Sequence, residues 1–265
     1  MTTLTSERPP ASRLAPSRIP FTRVLGVELT KIFDTRSGCW LTAGIGISAL
    51  LATAAVILFV PDDSLTYDTF GAAIGIPMVV LLPVMAILSV TSEWSQRSGL
   101  TTFTLVPNRA RVILAKMVVA ITVGALSIAT ALGVGAVGNV IGSGIAGVDT
   151  VWDISMNQAL SLVLANVLGL LIGFMLGVLI RNSAGAIVAY FVYGFVLAGL
   201  TALLASSQEW FRDLQPWVDF NYTQGTLFEG SLTGEQWANL GVSGVFWLVI
   251  PLAVGLVLIR RSEVK

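Results

Sequence analysis

Six stretches of this 265-residue chain contain no charged side chain, over positions 37–61, 69–92, 117–148, 154–180, 182–208 and 236–259. Each exceeds the roughly 20 apolar residues with which a helix rising about 1.5 Å per residue crosses a hydrocarbon core about 30 Å thick. The expected fold class is therefore all-α, a polytopic membrane protein with six transmembrane helices near 38–60, 70–92, 117–139, 158–180, 183–205 and 239–259. Composition excludes a water-soluble globule, because 11% of the residues are charged and 55% hydrophobic, whereas roughly a quarter of a soluble domain is charged.

Absent residue types remove several chemistries. The chain has no histidine, which excludes His-based metal sites, Ser-His-Asp triads and HExxH motifs. Its lysines are Lys31, Lys116 and Lys265, and none sits in a G-x-x-x-x-G-K-[ST] phosphate loop, so the chain cannot hydrolyse ATP in the P-loop manner. A single cysteine, Cys39, allows no disulfide within the chain. The first 36 residues carry six basic side chains among prolines and no short apolar core, so the first span itself is expected to act as the insertion signal.

Basic residues are sharply partitioned. With six spans, 14 of the 15 Lys and Arg fall on the side of the two termini and only Arg212 falls on the other, together with ten acidic residues. The positive-inside rule then places both termini in the cytoplasm.

Between these landmarks the chain divides into a tail, an interfacial segment and the bundle. Residues 1–20 hold Pro9, Pro10, Pro16 and Pro20 among Ser, Thr and Arg and are expected to form a disordered cytoplasmic tail. Over 21–36 the periodicity becomes helical: Phe21, Leu25, Leu29, Ile32 and Phe33 share one face and Arg23, Thr30, Lys31 and Asp34 the opposite one, the signature of an amphipathic helix on the inner membrane surface. Glu28 lies at the edge of the apolar face, where pairing with Lys31 or with a neighbouring chain is expected. Residues 37–265 form the transmembrane domain. In the third window Gly133, Gly135, Gly138, Gly142, Gly144 and Gly147 crowd toward the end, so its last third is expected to be an outer loop. Gly169, Gly173 and Gly177 place a small-residue stripe on the fourth span, favouring close helix packing. The aromatic-rich segment 206–237 is expected to form short re-entrant or interfacial helices at the outer headgroups.

The only sizeable inner loop, Glu93 to Lys116, reads EWSQRSGLTTFTLVPNRARVILAK. Gly99 can end the second span, Leu100 to Val106 can form about two helical turns, and Pro107-Asn108 can stop them and cap the third span. An ordinary juxtamembrane loop with anchoring Arg and Lys is the competing reading. The six-span layout, the lead segment ELTKIFDTRS (Glu28 to Ser37), Glu93, the stretch Ser98-Gly99-Leu100-Thr101-Thr102, and Pro107, Arg109 and Lys116 together resemble the type 2 permeases of ATP-binding-cassette (ABC) transporters. Here Gly99 is followed by Leu100 rather than directly by Thr, which leaves the register of the loop helix open by about a residue.

That resemblance implies an exporter subunit that is not itself an enzyme. Its short cytoplasmic loop helix would be a coupling helix that docks on a separate ATPase subunit, present in two copies and carrying the ATP and Mg. Residues for that coupling would be Glu93, Arg97, Gly99, Thr101, Thr102, Arg109 and Arg111, with Glu28, Lys31 and Arg36 on the lead helix. A second permease subunit, identical or similar, would complete a transport route through the plasma (inner) membrane; the lipid bilayer is the other partner, and no nucleic acid or metal is expected. The uncharged spans offer the cavity only neutral polar groups, Asn166, Thr130, Ser161, Tyr190 and Tyr193, which suits a hydrophobic or amphipathic cargo such as a drug, peptide antibiotic or lipid. Asn166 must face either a partner or the cavity, since an unpaired amide in hydrocarbon is costly. A secondary transporter or channel without an ATPase is the alternative, disfavoured because such proteins usually carry ionisable residues within their spans.

Overall fold

The computed structural model describes residues 19–95 and 109–261, with the backbone alone for Arg36, Ser37, Ser95, Arg109, Arg260 and Arg261. The expected tail falls outside the described residues except for its last two positions, and the short loop helix over Leu100–Val106 falls outside them entirely.

Among the described residues every regular element is helical, apart from one bridge between Thr66 and Val151. Helix α1 (Phe21–Asp34) leads into α2 (Arg36–Phe59), then α3 (Tyr67–Ser95), α4 (Arg109–Ala146) and α5 (Met156–Ile180). Helix α6 runs from Ser183 to Ser207 through a π-helical turn at Val192–Leu197. Two short helices, α7 (Glu209–Val218) and α8 (Phe220–Gly225), precede α9, which runs from Gly234 to Arg261 through a second π-helical turn at Val245–Val249. Six of these helices, α2 to α6 and α9, are long and apolar enough to cross a membrane.

The bundle is built around α3, which packs on α2, α4 and α5. Two glycines of the expected stripe let α5 approach α3. A Cβ at Gly173 would lie 2.7 Å from the Pro83 carbonyl oxygen, and one at Gly177 would lie 3.4 Å from the Ile87 backbone. Pro83 has no N–H, so the Val79 carbonyl one turn earlier loses its helical donor; the Tyr190 hydroxyl of α6 donates to it at 2.8 Å instead. Phe174, Met78 and Leu82 are fully buried in the resulting core. On the far side, α6 leaves Val188, Val192, Phe195, Leu200 and Leu203 exposed, as a helix facing lipid does.

The break between α1 and α2 depends on local chemistry. Thr35 is extended and its side chain accepts from the Gly38 N–H at 3.2 Å, capping α2. At Gly38 a Cβ would sit 1.9 Å from the Ile32 carbonyl oxygen, so no other residue fits this bend without moving it.

One expectation about the bundle is corrected. The glycine-rich end of the third window is helix, not loop: α4 continues to Ala146. Its glycines are contact points, since Cβ atoms at Gly138 and Gly142 would press within 3.1–3.2 Å of the Phe70 ring, and the packing they permit outweighs their poor helix propensity. The helices also outrun their uncharged windows: Glu93 lies at the end of the apolar helix Tyr67–Trp94 and Lys116 near the start of Ala110–Ala146, just outside the expected spans 70–92 and 117–139.

Segment 206–237 does contain short helices, and they close the end of the bundle away from α1. Gln224 Nε2 donates to the Ala165 carbonyl at 2.8 Å, Ser161 Oγ to the Gly230 carbonyl at 2.9 Å, and Trp247 Nε1 to the Val218 carbonyl at 2.6 Å.

Candidate functional site

At the opposite end, four charged side chains from three helices meet. Glu28 and Lys31 stand one turn apart on α1, where i,i+3 spacing puts them side by side. Glu93 comes from the last turn of α3, and Lys116 from the second turn of α4. Lys31 Nζ lies 2.8 Å from Glu28 Oε1 and 3.0 Å from Glu93 Oε1; Lys116 Nζ lies 2.5 Å from Glu28 Oε2 and 3.0 Å from Glu93 Oε1. Two carboxylates and two ammonium groups thus alternate around a closed, neutral ring.

Burial makes the ring consequential. The side chains of Glu28, Glu93 and Lys116 are 2–4% exposed, and Lys31, at 37%, is its opening to solvent. Isolated charges so buried are strongly unfavourable, and pairing with opposite charges offsets that cost. For Lys31, burial works against its charge, but hydrogen bonds and attraction from Glu28 and Glu93 outweigh it and hold its ammonium above the ordinary lysine range. A cavity of about 150 Å³ adjoins the ring, bounded by Thr35, Met85, Ser89 and all four charged residues.

The ring fixes how α1 sits. Its buried positions are Val24, Glu28 and Ile32, while Leu29 and Phe33 of the expected apolar face are 42% and 49% exposed. The apolar stripe is thus divided: Ile32 packs on the protein, while Leu29 and Phe33 stay uncovered. The helix turns its Glu28 edge to the protein because the lysine partner is there, leaving half of its apolar face uncovered. Lys31, placed opposite by periodicity, reaches into the ring with its long stem. Arg111 adds a second tie, its guanidinium lying 5.8 Å from the Phe21 ring centre.

Of the residues expected at the ATPase contact, Glu93 belongs to the ring and Arg111 lies against α1. Arg97, Gly99, Thr101 and Thr102 lie outside the described residues, as do the side chains of Arg36 and Arg109. Lys116, which the sequence offers only as part of the resemblance and not as a coupling residue, is the fourth member. Its signal in the sequence is position, immediately before the third uncharged window.

The residues expected to line a substrate cavity do not form one group. Thr130 is exposed and donates to the Leu126 carbonyl of its own helix. Ser161 is occupied by Gly230 and Tyr190 by Val79. Tyr190 and Tyr193 border a cavity of about 130 Å³ under α8, and Asn166 borders a separate, larger one.

No protein-family model matches the sequence, and no curated protein is significantly similar to it.

Proposed function

We propose that this chain is the membrane-spanning permease subunit of an ATP-driven exporter of the ABC type 2 class, moving a hydrophobic or amphipathic substrate across the plasma membrane. One observation carries the reading. The buried ring ties the amphipathic helix α1 to the two spans that flank segment 96–108, holding Glu93 three residues before that segment and Lys116 eight residues after it. A force applied to 96–108 by a docked ATPase would reach α1, α3 and α4 together, which is what coupling a soluble motor to a bundle requires. The ATPase, in two copies, supplies the ATP, Mg and hydrolysis that this chain has no phosphate loop to perform. α1 lies at the cytoplasmic surface with its exposed Leu29 and Phe33 against lipid, both termini are cytoplasmic, and a second permease subunit provides the other half of the route.

A secondary transporter without an ATPase is the second reading, favoured by the buried charged groups in α3 and α4. The ring is closed, neutral and at the end of the bundle, which suits a latch better than an ion path. A photocrosslinking residue at Thr101, in cells also expressing a candidate P-loop ATPase partner, separates the two. Crosslinks to that ATPase support the permease reading; crosslinks to lipid alone oppose it.

A further inference from the structure

The half of the bundle away from the charged ring contains a cavity of about 300 Å³ between α3, α4 and α5, at the lower end of the range of small-molecule sites. Its wall includes Ile74, Met78, Ile128 and Leu162 and a single side chain with strong hydrogen-bonding groups, Asn166. Space comes partly from Gly75, where a Cβ would meet nothing within 4 Å. At the rim Ile76 is 74% exposed, so the cavity opens sideways, toward the lipid.

Asn166 itself is 5% exposed. Its Nδ2 donates to the Leu162 carbonyl at 2.9 Å, one turn earlier, while its Oδ1 is buried and accepts from no described residue. Hydrocarbon filling the cavity would leave that oxygen unsatisfied, and a packed wall would be served better by leucine. Vacant apolar space and an unused buried acceptor at its wall therefore ask for the same thing.

We propose that this cavity binds a small, largely apolar molecule carrying one hydrogen-bond donor, a hydroxyl or N–H, which a modest turn of the carboxamide brings to Asn166 Oδ1 while the hydrocarbon part fills the space over Gly75. The proposal concerns binding alone and holds whether or not an ATPase drives the chain.

The test uses the full-length protein in lipid nanodiscs with a diazirine-bearing octanol and its methyl ether as probes, and locates photoadducts by peptide mass spectrometry. The alcohol should label peptides spanning 71–79 and 162–166 about three- to tenfold more than the ether, the difference one hydrogen bond makes. Asn166→Leu should lower alcohol labelling to the ether level and leave the ether unchanged. Gly75→Leu, which fills the cavity, should remove labelling by both. Equal labelling by alcohol and ether in the unmodified protein, or labelling that survives Gly75→Leu, overturns the proposal; this pair of results decides it even if Asn166→Leu fails to fold.

Discussion

Lys116 Nζ of α4 lies 2.5 Å from Glu28 Oε2 of α1, a contact between groups 88 residues apart that are both almost wholly buried. It joins the third span of the bundle to a helix that precedes the first, and Glu93 closes the circle from the second span. Removing one member leaves a net charge behind. Lys116→Met should therefore lower stability in detergent by about 3–5 kcal/mol, whereas Glu28→Gln combined with Lys116→Met restores neutrality and should cost clearly less than the sum of the single changes. Thermal unfolding of the four proteins measures this; strict additivity would show that the ring is not a coupled unit.

Lys31 adds a pH dependence of known sign. Its ammonium is favoured by the fold, so its contribution is complete below the ordinary lysine pKa of about 10.4 and is lost as pH rises through its higher value in the folded protein. Because Lys31 is the most exposed member, the effect is modest. The melting-temperature difference between the unmodified protein and Lys31→Gln should be constant from neutral pH to about pH 10 and shrink above it. A difference that grows with alkalinity contradicts the assignment.

The Val79 carbonyl, left without a helical donor by Pro83, makes the Tyr190 hydroxyl structural. Tyr190→Phe should cost about 1–3 kcal/mol. In a Pro83→Ala background, where position 83 regains an N–H, the same change should cost much less. Equal penalties in the two backgrounds would dissociate the hydroxyl from the proline.

Close packing separates two glycines that sequence alone treats alike. Gly173→Ala, pushing a Cβ to 2.7 Å from the Pro83 oxygen, should destabilise the bundle by about 1–3 kcal/mol. Gly75→Ala, with open space at its Cβ, should be neutral or stabilising by up to about 1 kcal/mol. Melting temperatures decide.

What was legible in the sequence follows from which signals are local. Six spans are written in six long uncharged runs, and the Glu28–Lys31 pair in a spacing of three. Lys116 and Glu93 join that pair from 88 and 62 residues away, and no periodicity reports such a meeting. Nor does it report that Gly138 and Gly142 face Phe70, which is why a glycine-rich stretch that reads as loop is the last part of a 38-residue helix. The apolar stripe of α1 marks a helix and leaves Leu29 and Phe33 uncovered, but that Glu28, between Val24 and Ile32, faces the protein follows from Lys116, 88 residues away. Asn166 was legible as a problem to be solved, an amide within an apolar run; which of its atoms is satisfied required the neighbouring helices.

The central claim is that a separate ATPase drives substrate through this chain. Its most direct test is accumulation of a fluorescent amphipathic dye in inside-out vesicles containing this chain and its ATPase, with and without ATP. The account predicts accumulation that requires both proteins and hydrolysable ATP and is unaffected by collapsing ion gradients. Accumulation by this chain alone, abolished by collapsing an ion gradient and indifferent to ATP, would contradict it.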